Sequence, residues 1–206
     1  MDIGVLGGTF DPIHSGHLGI AEEARLKLDL NRVIFVPAGQ PWLKTDREIT
    51  PAVNRIEMVK RAIAGKTDFE LSTIEVDHPG PSYAVDTVAI LQRQLGEEAR
   101  IFFLMGWDSL VELPKWHDPA RLVQLCHLVG ITRSGLSRPD LKSLEPSIPG
   151  ITKSVVWLDI PPIDISSSDI RDRLAQGLSI HGLVPDNVES YIKGNKLYRK
   201  RKQVIS

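Results

Sequence analysis

Ile3-Gly4-Val5-Leu6-Gly7-Gly8-Thr9-Phe10-Asp11-Pro12-Ile13-His14-Ser15-Gly16-His17 is the stretch that decides the fold. Ile3–Leu6 is a short apolar run of the length expected for a strand buried on both faces. Gly7 and Gly8 follow it; without Cβ atoms they allow a ligand to approach the backbone closely. Pro12 extends neither a strand nor a helix and stiffens the turn. Ser15 or His14 then occupies the position of a helix cap. A helix that starts here presents unbonded N–H groups and the positive end of its dipole, which together attract phosphate. His14 and His17 are three residues apart, so in a first helical turn their imidazoles point to one side and form an anion clamp. The alternatives are a core or capping histidine at each position, or a metal pair. No acidic or cysteine ligand stands at helical spacing beside them, so no residue is assigned as a protein ligand to a metal. The segment lacks the lysine of a Walker A loop, and it adds two imidazoles to what a dinucleotide fingerprint offers.

The same alternation continues along the chain. Val33–Val36, Ile101–Met105, Leu128–Ile131 and Val155–Ile160 read as further buried strands. Between them, Ile20, Ala21, Ala24 and Leu28 share one helical face. Ala52–Ala64 reads as a second helix with Val53, Ile56, Val59 and Ile63 inward. Ala84–Leu95 reads as a third, with Val85, Val88, Leu91 and Leu95 inward. Strands alternating with helices imply an α/β, doubly wound, mostly parallel sheet with helices on both faces and a site at the carboxyl ends of the strands. Arg133–Gly150 is rich in Ser, Pro and Gly and reads as a surface excursion with a short helix near Pro139–Leu144.

The chain has 206 residues, 42% of them apolar and 25% charged, which fits one folded domain and excludes wholesale disorder. Its 25 Lys+Arg against 26 Asp+Glu argue against a nucleic-acid binder that works by bulk charge. The single cysteine, Cys126, allows no intrachain disulfide and reads as a core residue. No apolar run spans a bilayer and the first residues lack a signal-peptide pattern, so the expectation is a soluble, cytoplasmic protein with no membrane partner. Residues 193–206 hold six Lys and Arg and no acid; taking those six charges from the net −1 leaves −7 for residues 1–192. The expected organisation is a single domain over 1–192 and a solvated basic tail over 193–206.

A second helix start, Ile165-Ser166-Ser167-Ser168-Asp169-Ile170-Arg171, follows the last strand. Ser166 and Asp169 read as a near capping box. Arg171 is a cation in a first turn, at the wrong end of the helix dipole. A bound phosphate would remove that conflict; solvent, Asp169 or Asp172 are the alternatives.

These two motifs resemble the H-x-G-H and late I-S-S-[ST]-x-x-R of the nucleotidyltransferases with a Rossmann-like fold. The resemblance extends to bacterial nicotinate mononucleotide adenylyltransferases through Val36-Pro37-Ala38 to Lys44, Pro79 to Tyr83, Asp86-Thr87, Gly106-Trp107-Asp108, Trp116 and Thr132-Arg133. It implies adenylyl transfer from ATP to nicotinate mononucleotide, with nicotinate adenine dinucleotide and pyrophosphate as products and Mg²⁺ accompanying ATP. His14, His17 and Arg171 would be catalytic. Gly7, Gly8, Thr9, Phe10, Gly16, Ile165, Ser166, Ser167 and Ser168 would join them in holding ATP. Lys44, Ser82, Tyr83, Ala84, Asp108, Trp116 and Arg133 would serve the mononucleotide side. Trp116 is read as a stacking face or an ordinary buried Trp, and Asp108 as a ribose contact or a cap for Ser109–Leu113.

Three departures from the family pattern stand out: Ala84 for a common Thr, Ser168 for a Thr, and Trp42-Leu43 for a more polar pair. A pantetheine-phosphate type of adenylyltransferase is expected to lack the Ser82-Tyr83 and Trp116 features. A class I aminoacyl-tRNA synthetase fragment would carry a lysine-rich second motif. A nucleotide sensor without turnover is the alternative outside enzymes. Oligomeric state is left open, a homo-oligomer included.

Overall fold

The computed structural model describes residues 1–41, 48–133, 138–161 and 164–199; of Arg133 it describes the backbone. Among the described residues, six strands form one sheet: β1 (Asp2–Gly8), β2 (Arg32–Pro37), β3 (Phe69–Leu71), β4 (Arg100–Gly106), β5 (His127–Arg133) and β6 (Val155–Ile160). Their order is β3-β2-β1-β4-β5-β6, and every pairing is parallel. The helices are α1 (Ser15–Lys27), α2 (Ala52–Ala62), α3 (Ile74–Asp77), α4 (Ala84–Leu95), α5 (Trp107–Val111), α6 (Pro119–Leu125), α7 (Leu141–Leu144), α8 (Ile151–Ser154), α9 (Ser167–Ala175) and α10 (Asp186–Gly194). A 3₁₀ turn covers Leu113–Lys115. No described helix is long and apolar enough to cross a membrane.

β1 lies between β2 and β4, and alternate residues feed opposite faces. Leu6 packs with Val33, Phe35 and Leu104 on one face. Ile3 and Val5 pack with Ile34, Ile101 and Phe103 on the other. Burial on both faces is why these runs are continuously apolar rather than alternating. In this strand order the crossovers turn in opposite directions from β1 and β4, so a crevice opens between their carboxyl ends.

Five strands and the three longer helices fall where the apolar periodicity puts them. β3 has only three residues and no apolar run long enough to signal it. On α2 the inward stripe is Arg55, Met58, Val59 and Ala62, whereas Val53 is 70% exposed, against the expectation that it points inward. Arg55 replaces it because its guanidinium finds carbonyl acceptors inside the protein: Nε donates to Thr50 O at 2.9 Å and Nη1 to Thr9 O at 2.8 Å. Cys126 is buried; its Sγ faces Leu122 O at 3.4 Å, and burial pushes the thiol up to about 12.

The solvated-tail expectation is corrected for Leu197 and Tyr198. Leu197 N–H donates to Ile192 O at 3.1 Å, and both side chains pack against the first core. Tyr198 Oη donates to Asp11 Oδ1 at 2.8 Å. Residues 200–206 lie outside the described residues.

Candidate active site

The segment after β1 folds back across the end of the strand and opens α1. His14 is the N-cap, with extended backbone (φ −144°, ψ 170°). Its N–H donates to His17 Nδ1 at 3.3 Å. That bond assigns the neutral His17 proton to Nε2, leaving a ring donor on the edge away from the cap. The two imidazoles stack with centroids 3.7 Å apart, and Phe10 meets His17 edge-on at 5.0 Å. The expected common side of His14 and His17 is therefore present. His14 is buried, and desolvation lowers its pKa to about 4, so it is neutral at pH 7. Its Nδ1 is buried with no protein hydrogen-bond partner. A buried, unbonded polar atom costs stability unless a ligand satisfies it.

Gly7 and Gly8 have packing reasons as well. A Cβ on Gly8 would come within 3.1 Å of the Phe10 ring, and one on Gly7 within 3.4 Å of Phe103. Phe10 itself has φ 49°, the left-handed region, so the chain turns sharply there. Thr9 is buried, and its carbonyl accepts from Arg55. Gly16 is buried in the first turn of α1.

The second motif arrives from the far end of the chain. Ser166 caps α9, its Oγ accepting from Asp169 N at 3.1 Å and donating to Asp169 Oδ2 at 2.8 Å. Ser167 Oγ donates to Pro12 O at 2.9 Å. Arg171 Nη1 donates to Asp11 O at 2.7 Å, across 160 residues, and Nη2 to Ser168 Oγ at 3.0 Å. These two bonds turn Arg171 from the solvent alternative towards the loop after β1. The guanidinium joins the two motifs into one cradle. Ile165, just ahead of the cap, packs against the first core.

On the other side of the crevice, α4 begins at Ala84 with Tyr83 as N-cap. The Ser82 hydroxyl accepts from Gly39 N at 2.9 Å and Gln40 N at 3.1 Å, and Ser82 N–H donates to Gln40 O at 3.1 Å. Ser82 therefore locks the β2 loop to the start of α4. Glu75 underlies this junction. Thr87 Oγ1 donates to it at 2.6 Å, and burial raises its carboxyl pKa against the opposing pull of Thr87, Ser82 and Gly39. Tyr83 stacks on His117 with centroids 4.2 Å apart. The adjacent Trp116 stands edge-on to Phe103 at 6.2 Å, half-buried, with its indole Nε1 buried and unbonded. Asp108 is exposed in the first turn of α5, where Gly106 is the N-cap; the alternative of Asp108 as a cap is corrected. It follows β4 directly and so stands at the mouth of the crevice beside the loop after β1.

Lys44 and the side chain of Arg133 lie outside the described residues; the Arg133 backbone ends β5. Sequence reasoning missed Arg55, Asp11, Tyr198, Glu75, Gly39 and His117. Asp11 and Gly39 lie inside stretches singled out in the sequence and His117 stands next to Trp116; Arg55, Glu75 and Tyr198 carried no local signal. His181, Asp186 and Glu189, on and before α10, are the one group among the described residues whose ligating atoms could converge on a cation, within 4.8 Å of one another. The segment after His181 reaches the first motif, Leu183 O accepting from Ser15 N at 2.9 Å and Gly182 O from Ser15 Oγ at 3.4 Å.

With this geometry in place, the comparisons with known proteins are specific. The sequence profile of the cytidylyltransferase-like family matches residues 5–173. A Dehalococcoides mccartyi protein named probable nicotinate-nucleotide adenylyltransferase is 44% identical over 96% of this chain and 97% of its own. One of the same name from Thermomicrobium roseum is 44% identical over 96% and 91%. The chain belongs to the nicotinate-nucleotide adenylyltransferase family. In fold, it matches the Plasmodium falciparum nicotinic acid mononucleotide adenylyltransferase complexed with NaAD. The TM-score is 0.76 at 20% identity, covering 96% of this chain and 97% of that one. Within this family, the six-stranded parallel sheet described above is the Rossmann-like arrangement that the sequence led us to expect.

Proposed function

We propose that this adenylyltransferase joins ATP to nicotinate mononucleotide, releasing pyrophosphate and nicotinate adenine dinucleotide, in the cytoplasm. The observation that carries the reading is the union of two phosphate-type helix starts at the carboxyl end of β1, closed by the Arg171 to Asp11 bond.

The mononucleotide phosphate is largely ionised at pH 7 and serves as its own nucleophile. One of its oxygens attacks the α-phosphorus of ATP. A new O–P bond forms, the bond to the bridging oxygen breaks, and its electron pair leaves with pyrophosphate. No proton need be removed, so the work of the residues is positioning and charge stabilisation. His14 and His17 offer neutral imidazole donors to the reacting phosphate, and Arg171 with Ser166, Ser167 and Ser168 takes the β/γ end. The Gly7–Phe10 turn and Gly16 border the triphosphate in this scheme. The donor set of ring N–H, hydroxyl and guanidinium suits phosphate oxygens, while the loop carboxylate, Asp11, is held by Tyr198. A Mg²⁺ ion would thus be carried by the phosphates of ATP; bound there, it offsets charge on the leaving pyrophosphate.

Trp116, with its unbonded Nε1, and the Tyr83–His117 stack form the aromatic side where the pyridine ring fits. Ala84 opens α4, whose first N–H groups have no intrahelical acceptor. Such donors match a carboxylate better than a carboxamide. Asp108 faces the ribose in this scheme, Lys44 serves the mononucleotide side near the phosphates, and Arg133 serves it near the phosphates or the mouth of the site.

The test is a pyrophosphate-release panel with ATP and Mg²⁺ across nicotinate mononucleotide, nicotinamide mononucleotide and phosphopantetheine. The expected result is turnover with nicotinate mononucleotide, preferred at least about tenfold in kcat/KM over the amide. Turnover with phosphopantetheine alone, or none at all, would refute the proposal.

A further inference from the structure

Among the described residues, the loop between β1 and α1 is held through its carbonyls and one carboxylate by groups from three other parts of the chain. Arg55 on α2 donates to Thr9 O at 2.8 Å. Ser167 and Arg171 on α9 donate to Pro12 O and Asp11 O. The third contributor is the segment beyond α10, whose Tyr198 Oη donates to Asp11 Oδ1 at 2.8 Å. Asp11 is 1% exposed, so its carboxylate depends on such partners. Tyr198 is half-buried, and desolvation together with the Asp11 charge raises its pKa, so the phenol stays a donor.

The backbone around Tyr198 is set for this contact. Lys196 and Tyr198 have φ of 53° and 62°, a left-handed conformation that side chains seldom adopt and that surrounding contacts must hold. Those contacts are present. Asn195 and Leu197 N–H groups bond back to Tyr191 O and Ile192 O, and Tyr191 Oη donates to Asn54 Oδ1 at 2.9 Å. The segment is thereby tied to α2, the helix that carries Arg55.

Asp11 thus meets Tyr198 with its side chain and Arg171 with its carbonyl. A residue bonded through both its side chain and its carbonyl is restrained in position and backbone torsion, so losing the Tyr198 bond loosens the peptide that Arg171 grips. We propose that Tyr198 is a positioning residue for Arg171: through Asp11 it fixes the guanidinium in the orientation that receives the ATP phosphate tail. The assignment rests on the reading above that Arg171 contacts ATP.

The test is a double-mutant cycle with Tyr198→Phe and Arg171→Ala, following steady-state kinetics for both substrates and melting temperature. Phe keeps the packed ring and removes only the hydroxyl, which donates to Asp11 and also bonds to Thr50. Tyr198→Phe alone is expected to raise the KM for ATP about tenfold, the scale of a lost bond to a charged acceptor. The KM for the mononucleotide should stay close to wild type, while the melting temperature falls by a few degrees because the buried Asp11 carboxylate loses a donor. In the Arg171→Ala background, Tyr198→Phe should cost less than about twofold more, because the group it positions is gone. Equal losses in both backgrounds would overturn the proposal, as would a wild-type KM for ATP in Tyr198→Phe. A lowered melting temperature with both KM values unchanged would mark a merely structural role and overturn it too. If Arg171→Ala by itself leaves ATP kinetics intact, the failure belongs to the reading of Arg171, is visible before Tyr198 is altered, and removes the proposal with it.

Discussion

Acid should weaken this fold through His14. Its pKa is lowered from 6.5 to about 4 by burial alone, so the folded chain takes up that proton far less readily than the unfolded one. The contribution to stability is full above pH 6.5 and is lost as pH falls from there towards 4. The whole difference of about 2.5 pH units corresponds to about 3 kcal/mol, of which about 2 kcal/mol is gone by pH 5. Set against a typical domain stability of roughly 5–15 kcal/mol, that loss is readily measured. The perturbation is His14→Gln, which keeps a polar side chain of similar reach and cannot titrate. Urea unfolding at pH 7 and pH 5 would be compared for the wild type and the variant. Other titrating groups act equally in both proteins, so the difference of differences isolates His14. The wild type should lose about 2 kcal/mol more than the variant between the two pH values. Equal losses would show that the folded His14 takes up a proton as readily as the unfolded chain does, and the view that burial holds it neutral would fall.

Removing the neighbouring donor with His17→Ala should lower kcat about 10²–10³-fold, as for other preorganised transition-state donors, while thermal melting stays near wild type; near-normal turnover would dismiss the clamp. Arg171→Ala should raise the KM for ATP more than that for the mononucleotide, read from initial rates with each substrate varied in turn. Gly39→Ala would place a Cβ 2.0 Å from Glu75 O and should destabilise the β2 loop junction strongly, by about 2 kcal/mol or more in denaturant unfolding; a wild-type midpoint would show that the junction can open.

The sequence by itself determined the layered plan. Continuous apolar runs at Ile3–Leu6, Val33–Val36, Ile101–Met105, Leu128–Ile131 and Val155–Ile160 are local patterns, and burial on both faces of a parallel sheet requires them. The strand–glycine–helix junction at Gly7–His17 and the capped start at Ser166 were equally legible, since phosphate-binding helix starts are built from neighbours in sequence. What only the tertiary structure decided is which distant groups meet there. Arg171, Ser167 and Arg55 all donate to backbone carbonyls, at Asp11, Pro12 and Thr9. Every residue has a carbonyl, so such a partner leaves no mark in the sequence. The same reason hid the constraint on Gly39, which comes from the carbonyl of Glu75. Tyr198 sat in a segment whose composition reads as solvated, and its role exists only because α10 returns the chain to the loop after β1. Val53 and Arg55 exchanged their expected places on α2 for a related reason: helical periodicity sets which residues share a face, while the acceptors on the opposing surface decide which face turns inward.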